Sequence, residues 1–440
     1  MNTMRLSSLS LALSAALALP AQAQSLVDLY QAAKAFDANY QSAKSLYEAN
    51  LAKGEQAQAG LLPSANLAMG VNRTNISSDM ATFDRGSYGN QSATLSASQP
   101  LYRPANRATA EQGKKQAELA QAQLTAASQD LIVRVSQAYF DVLASQDSLN
   151  FVKSQKTAVA EQLASAKRNF EVGTATITDT REAQARYDLV LAQEIAADND
   201  LRVKKIALDQ LTGKTPSTPK AMRLPVNLPE IAPNNVTPWV NQSEDIHPSV
   251  QQARLALEVA QLETQKAQAG NKPTLDLTGS YNITKNNGTS STTLDYRNNV
   301  AAVGLSFNLP LFAGYAIQNR IKETLALEDK SRSDLEAAKR GVAQATRSAF
   351  FGVQSGLGQV KALEAAEASS QSALDATKLG YQVGVRINID VLNSQSLLFD
   401  TKAKLAKARY DVLVGGLKLR QANGSLKEDD LAAINALLIP

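Results

Sequence analysis

One stretch of this chain occurs twice. Phe170-Glu171-Val172-Gly173-Thr174-Ala175-Thr176-Ile177-Thr178-Asp179 returns as Tyr381-Gln382-Val383-Gly384-Val385-Arg386-Ile387-Asn388-Ile389-Asp390. In each copy a glycine follows a helical run, where it can supply the left-handed residue that ends a helix. A Thr-Asp or Asn-x-Asp a few residues later can cap the next helix. Both copies therefore read as tips of helical hairpins. The match extends outward: Gln58-Ala59-Gly60 and Pro63 pair with Gln268-Ala269-Gly270 and Pro273, Pro100-Leu101-Tyr102 with Pro310-Leu311-Phe312, and Ala138-Tyr139-Phe140 with Ala349-Phe350-Phe351. The offset stays at 210 or 211 residues, so the chain is an internal duplication and its fold must be built from two matched halves.

Each half repeats one order of patterns. From Ser25 to Gly60 apolar residues recur at helical spacing (Leu26, Leu29, Ala33, Phe36) until Pro63 stops the run. Ala65, Leu67, Met69 and Val71 then alternate with Asn66, Ala68, Gly70 and Asn72, and Ala93, Leu95 and Ala97 alternate with Thr94, Ser96 and Ser98 after a polar loop, which predicts a strand hairpin. No proline falls between Ala105 and Thr215, and Ile132, Val135, Tyr139 and Val142 form a coiled-coil seam. The helix from Ala105 to Phe170 would be roughly 100 Å long. In the second half Leu275, Leu277, Tyr281 and Ile283, then Val303, Leu305, Phe307, Leu309 and Leu311, repeat the strand signal, and no proline follows Pro310 until Pro440. Seven of the fourteen prolines lie between Pro216 and Pro248. That cluster predicts an irregular segment, with Leu224, Val226, Leu228, Ile231 and Trp239 to pack it.

Aromatic residues make up 5% of the chain, and Ala, Gln, Ser, Leu and charged residues dominate, as in long exposed helices. The net charge of +4 is small and its signs are interspersed, which gives no nucleic-acid surface. Arg5, the apolar run Leu9–Leu19 and Ala21-Gln22-Ala23 form a secretory signal cut before Gln24, too short to span a bilayer as a helix. Cysteine is absent, which rules out disulfides and cysteine lipidation. His247 is the only histidine, so a metal or catalytic role is not expected, and no phosphate-cradling glycine loop is present. Neither an enzyme site nor a cofactor is predicted.

Strands of about ten residues suit a bilayer crossing. Four cannot close a barrel alone, since single-chain barrels begin at about eight strands, and open edges are not tolerated in lipid. Three copies sharing twelve strands is the simplest closed solution. A soluble four-stranded sheet with one wet face stays open as the alternative, and with it a periplasmic coiled-coil scaffold.

Phe170-x-Val172-Gly173 through Asp179-x-x-x-Ala183-x-Ala185-x-Tyr187-Asp188, with Gly380-Tyr381-x-Val383-Gly384-x-Arg386 through Asp390-Val391-Leu392, resembles the TolC family of outer-membrane exit ducts over essentially the whole mature chain. The resemblance implies an α+β membrane protein: a homotrimer sharing a twelve-stranded β-barrel in the outer membrane and a twelve-helix tunnel across the periplasm. It would serve tripartite efflux and type I secretion, docked on a periplasmic adaptor and an inner-membrane transporter of ABC, RND or MFS type. The expected organisation is a signal peptide (1–23), a first repeat (24–215), a proline-rich belt segment (216–248), a second repeat (249–425) and a C-terminal belt helix (426–440).

The same resemblance assigns roles to residues. Tyr381 and Arg386 are similar to the family's closed-state tethers, Thr178 and Asp179 to their partners on the neighbouring hairpin. A charge-assisted arginine bond, worth about 1.5–3 kcal/mol, suits a latch that yields to a docking partner. The competing reading is that Asp179 and Asp390 only cap helices and Arg386 is a solvated turn residue. Asp390 resembles an acidic ring at the periplasmic entrance. Where the pattern has a second aspartate one turn on, this chain has Asn393, which predicts weaker cation selectivity. Val172, Gly173, Val383 and Gly384 resemble the grooves that receive adaptor hairpins.

Overall fold

The computed structural model describes residues 23–76, 86–289, 292 and 294–439. The expected signal peptide, apart from its last residue, lies outside the described residues, as does 77–85 of the first polar strand loop. The chain divides into two compact units, one of 23–43, 124–248 and 339–439, the other of 44–123 and 249–338. Three helices pass from one to the other: α2 (Ala38–Ala59), α3 (Pro104–Glu171) and α7 (Ala316–Gln382). The duplication shows in the lengths. Helix α3 has 68 residues and its hairpin partner α4 (Ile177–Thr212) has 36, while α7 has 67 and its partner α8 (Asn388–Asn423) has 36.

In the unit of 44–123 and 249–338, strands β1 (Ser64–Ile76), β2 (Gly86–Tyr102), β3 (Thr274–Asn287) and β4 (Asp295–Asn308) form one antiparallel sheet in the order β1-β2-β3-β4. They are 13, 17, 14 and 14 residues long, more than the ten expected, because backbone pairing runs on into polar residues where side-chain alternation has ended. Strand β4 stops at Asn308, although alternation predicted a strand through Leu311. Pro310 has no N–H to continue a ladder.

The register places like side chains together. Leu67 faces Leu95, Leu95 faces Tyr281, Leu277 faces Leu305 and Leu275 faces Phe307, all on one side of the sheet. The other side carries Thr94 beside Asn282, hydrogen-bonded at 3.0 Å, Asn90 beside Asn286, and Ser96 beside Ser280. The apolar side is uncovered: Val71 is 79% exposed and Val303 84%. At the base of the sheet the Arg103 guanidinium grips the Asp276 carboxylate with two donors, the Nε bond at 2.7 Å. Helices α2 and α3 cross closely in this unit, since a Cβ on Gly113 would lie 2.7 Å from the Ala57 Cβ. Helix α6 (Pro248–Ala269) begins on a proline at the position where a missing N–H costs nothing.

The other unit holds the main apolar core. Leu131, Ile132, Val135, Tyr139, Phe140 and Val142 of α3, which include the predicted seam, are buried with Leu26, Leu29 and Tyr30 of α1 (Leu26–Phe36) and with Leu413 and Leu417 of α8. Burying a side chain of this size contributes about 1.5–3 kcal/mol. The polar tips of these aromatics are satisfied: Tyr139 donates to the Lys220 carbonyl at 2.9 Å and Tyr410 to the Asp147 carboxylate at 2.7 Å. Burial raises the Asp147 carboxyl above the ordinary range.

Two expectations are corrected here. The helical pattern from Ser25 to Gly60 is two helices, α1 and α2, broken at Asp37, which has extended backbone. Asp37 accepts from the Tyr40 N–H at 2.8 Å and from Arg134 at 2.9 and 3.1 Å. That guanidinium holds its carboxyl below the usual range. The proline-rich segment, in turn, contains a regular helix, α5 (Val236–Ile246), capped by the Asn235 side chain on the Thr237 N–H. Its proline, Pro238, sits in the first turn, where its lack of an N–H breaks no helical bond. The rest of the segment is irregular and is pinned to the C-terminus by Arg223 N–H to Leu437 O (2.9 Å) and Ile439 N–H to Ala221 O (2.8 Å), beside α9 (Asp429–Asn435).

Candidate gate at the hairpin tips

Both tips lie in the unit that holds the main core, and they share one backbone solution. After α3, Gly173 takes φ +78°, its N–H bonds Phe170 O (3.0 Å), and the Thr174 N–H reaches back to Asn169 O (2.8 Å). After α7, Gly384 takes φ +81°, its N–H bonds Tyr381 O (3.2 Å), and the Val385 N–H reaches Gly380 O (2.9 Å). This is the paired 5→2 and 6→1 bonding that closes a helix on a left-handed glycine, as the sequence predicted. Beneath the tips, Val159, Leu163, Ala183, Val190 and Leu392 form one small core, and Leu374, Val391 and Leu398 another, against which Tyr381 packs.

The helices that leave the tips start differently. Thr176 caps α4: its hydroxyl accepts from the Asp179 N–H at 3.2 Å, and the Asp179 carboxylate returns a bond to the Thr176 N–H at 2.9 Å. Asp179 thus fills a capping box. Helix α8 starts after Ile387, which has no side chain to cap with. Asp390, the counterpart of Asp179, instead lies 3.7 Å from the Arg386 guanidinium. The stem of Arg386 passes over Gly380, where a Cβ would come within 2.7 Å of its Cγ, so only glycine fits beneath it.

Of the residues singled out in the sequence, the chain brings Arg386 to Asp390, while the Asp179 carboxylate is bonded to Thr176, and among the described residues no hydrogen bond or ion pair joins Thr178 or Asp179 to Tyr381 or Arg386. The Tyr381 hydroxyl accepts from the Asn169 amide at 3.4 Å. The two hairpins are tied by Asn388, which donates to the Asp179 carbonyl at 3.4 Å and accepts from Gln162, and by Arg186, which donates to the Asn393 side-chain oxygen at 2.6 Å. Of these, Gln162 and Arg186 belong to no local motif and were not singled out in the sequence. Val172 and Val383 are 72% and 64% exposed, and Ile177, Val385 and Ile387 extend the same apolar tip surface.

Among the described residues no cluster of His, Cys, Asp and Glu is arranged to hold a metal ion, and burial lowers the pKa of His247. No described helix is long and apolar enough to cross a membrane.

The fold and sequence have relatives. Outer membrane protein TolC of Vibrio cholerae is 33% identical over 94% of this chain and 94% of its own. The alkaline protease secretion protein AprF of Pseudomonas aeruginosa is 31% identical over 93% of this chain and 86% of its own. The crystal structure of the outer membrane protein VceC from Vibrio cholerae has the same fold, with a TM-score of 0.78 over 91% of this chain and 96% of that one at 19% identity. The profile described as outer membrane efflux protein matches 16–214 and 239–425, nearly all of both repeats, and the chain belongs to that family of outer-membrane channels rather than to any enzyme family.

Proposed function

We propose that three copies of this chain assemble into one duct, with a shared twelve-stranded barrel in the outer membrane and a twelve-helix tunnel in the periplasm. The sheet carries this reading. One face presents a continuous apolar surface to the outside, the opposite face is lined by Ser, Thr and Asn, and the edges β1 and β4 are both long and unpaired. In lipid such edges must find partners, and edge-to-edge addition of like sheets satisfies them. Leu311, Phe312 and Tyr315 are also exposed just beyond β4, with the two rings edge to face at 5.6 Å, in keeping with an interfacial anchor.

As an efflux-family channel, the protein provides a passive exit. Its likeness to AprF supports service to protein secretion as well as efflux. The partners would be a periplasmic adaptor received by the tip valines and glycines (Val172, Gly173, Val383, Gly384) and an ABC, RND or MFS transporter that supplies the energy. The repeats, 24–215 and 249–425, each contribute a strand hairpin and a helical hairpin, with the belt formed by 216–248 and 426–440.

The closed end is held by Tyr381 and Arg386, each contributed three times. Thr178 and Asp179 of a neighbouring hairpin meet them in the assembly, and the exposed Arg386 guanidinium keeps donors free for that contact. The test is single-channel conductance in a planar bilayer for the native protein and a Tyr381→Phe, Arg386→Ser variant. Small, flickering openings that become several-fold larger in the variant support the duct and its latch. Equal conductance removes the latch, and well-folded protein that is soluble without detergent and never conducts removes the duct in favour of a scaffold.

A further inference from the structure

We infer that Arg186 sets the ion preference of the closed constriction, which makes the ring of Arg186, Arg386, Asp390 and Asn393 net cationic rather than acidic. The inference rests on the reading of Asp390 and Asn393 as constriction residues. Arg186 comes from α4 and reaches across to α8, where its guanidinium donates to the Asn393 side-chain oxygen at 2.6 Å. An amide oxygen positions a guanidinium without neutralising it. Among the described residues no carboxylate forms an ion pair with Arg186. Asp390, one turn away from Asn393, already has Arg386 at 3.7 Å.

Charge therefore balances within the Arg386–Asp390 pair and is left over at Arg186. Repeated by three-fold symmetry, the surplus is three positive charges in one narrow ring. The Debye length is about 10 Å at 0.1 M salt, so charges gathered at a constriction act together on a passing ion. Rings of arginine favour anions as rings of aspartate favour cations. Asn393 is then more than a missing carboxylate, because it anchors the opposing charge. This changes what restoring the acid would do. A carboxylate at position 393 would sit in bonding distance of Arg186 and cancel its charge, so Asn393→Asp alone would neutralise the ring, as loss of Arg186 would, without making it acidic.

The experiment is the reversal potential across a planar bilayer under a KCl gradient. It compares the native protein with Arg186→Gln, Arg186→Lys, Asn393→Asp and the double variant Arg186→Gln, Asn393→Asp, each first checked as a heat-resistant trimer. Arg186→Gln and Asn393→Asp are each expected to raise the K⁺/Cl⁻ permeability ratio several-fold, Arg186→Lys to keep it near native, and the double variant to raise it most. Should Arg186→Gln not assemble, Arg186→Met, which keeps the stem and drops the charge, is measured in its place, with the same several-fold rise expected. A ratio unmoved by Arg186→Gln, or an Asn393→Asp shift as large as that of the double variant, overturns the role of Arg186 while leaving the channel intact. Absence of conductance from every assembled trimer overturns the channel reading and this inference together.

Discussion

The two hairpin tips are copies of one turn that now use the same carboxylate differently. Gly173 and Gly384 hold nearly equal left-handed conformations and close their helices with matching bonds. Three residues on, Thr176 stands where the other tip has Ile387. With threonine there, Asp179 is engaged in a reciprocal cap; with isoleucine, Asp390 is released from capping and lies against Arg386. A duplicated element can thus keep its backbone while one substitution transfers an acidic side chain from local stability to a surface that can act on other groups. Asp179 takes part in a helix cap at the first tip, and the start of the second helix has no such side-chain cap.

Giving the second tip the cap it lacks is the strongest way to break this contrast. Ile387→Thr should draw the Asp390 carboxylate back toward the new hydroxyl, release Arg386 to the neighbouring hairpin and lower single-channel conductance. The helix start should gain about 1 kcal/mol, read by hydrogen exchange. Unchanged conductance together with the expected slowing of exchange would separate the cap from the gate. A smaller effect tests what the tips share. Gly173→Ala and Gly384→Ala meet no atoms within 4 Å, so each should cost only the strain of a left-handed alanine, about 1–2 kcal/mol, and equally at both tips. Unequal losses in tip-amide protection would mean that the backbones are not equivalent. Smallest of all, Thr176→Ala should weaken the α4 start by about 1 kcal/mol, roughly fivefold in local exchange, and leave conductance alone. Conductance that changed as much as it does for Ile387→Thr would erase the distinction between the tips.

Much of this arrangement was legible in the sequence because duplication, alternation and helix-ending glycine are local signals. The two glycines, the proline-free helices, the seam at Ile132, Val135, Tyr139 and Val142, and the opposed faces of the strands all follow from spacing. What escaped depends on partners far along the chain. Asp37 breaks a helix because Arg134, nearly a hundred residues later, makes a buried carboxylate tolerable. Pro238 counted against a helix until Asn235 was seen to cap one that starts just ahead of it. The bond from Arg186 to Asn393 spans two hairpins, so the sequence showed a missing charge where the fold holds an added one. The proposed tether roles rest on family resemblance alone, because a tyrosine and an arginine at a helix end carry no signal of their own.

The open edges of the sheet have a consequence for how the protein reaches its membrane. A lone chain carries two rows of unanswered N–H and C=O groups along β1 and β4, each of which costs several kcal/mol in hydrocarbon. For chains that close a shared barrel as proposed, insertion and self-association become a single thermodynamic event, steeply dependent on the local concentration of chains. The lipid itself acts as an inspector, since an incomplete ring is excluded from it by the same backbone chemistry that seals a complete one.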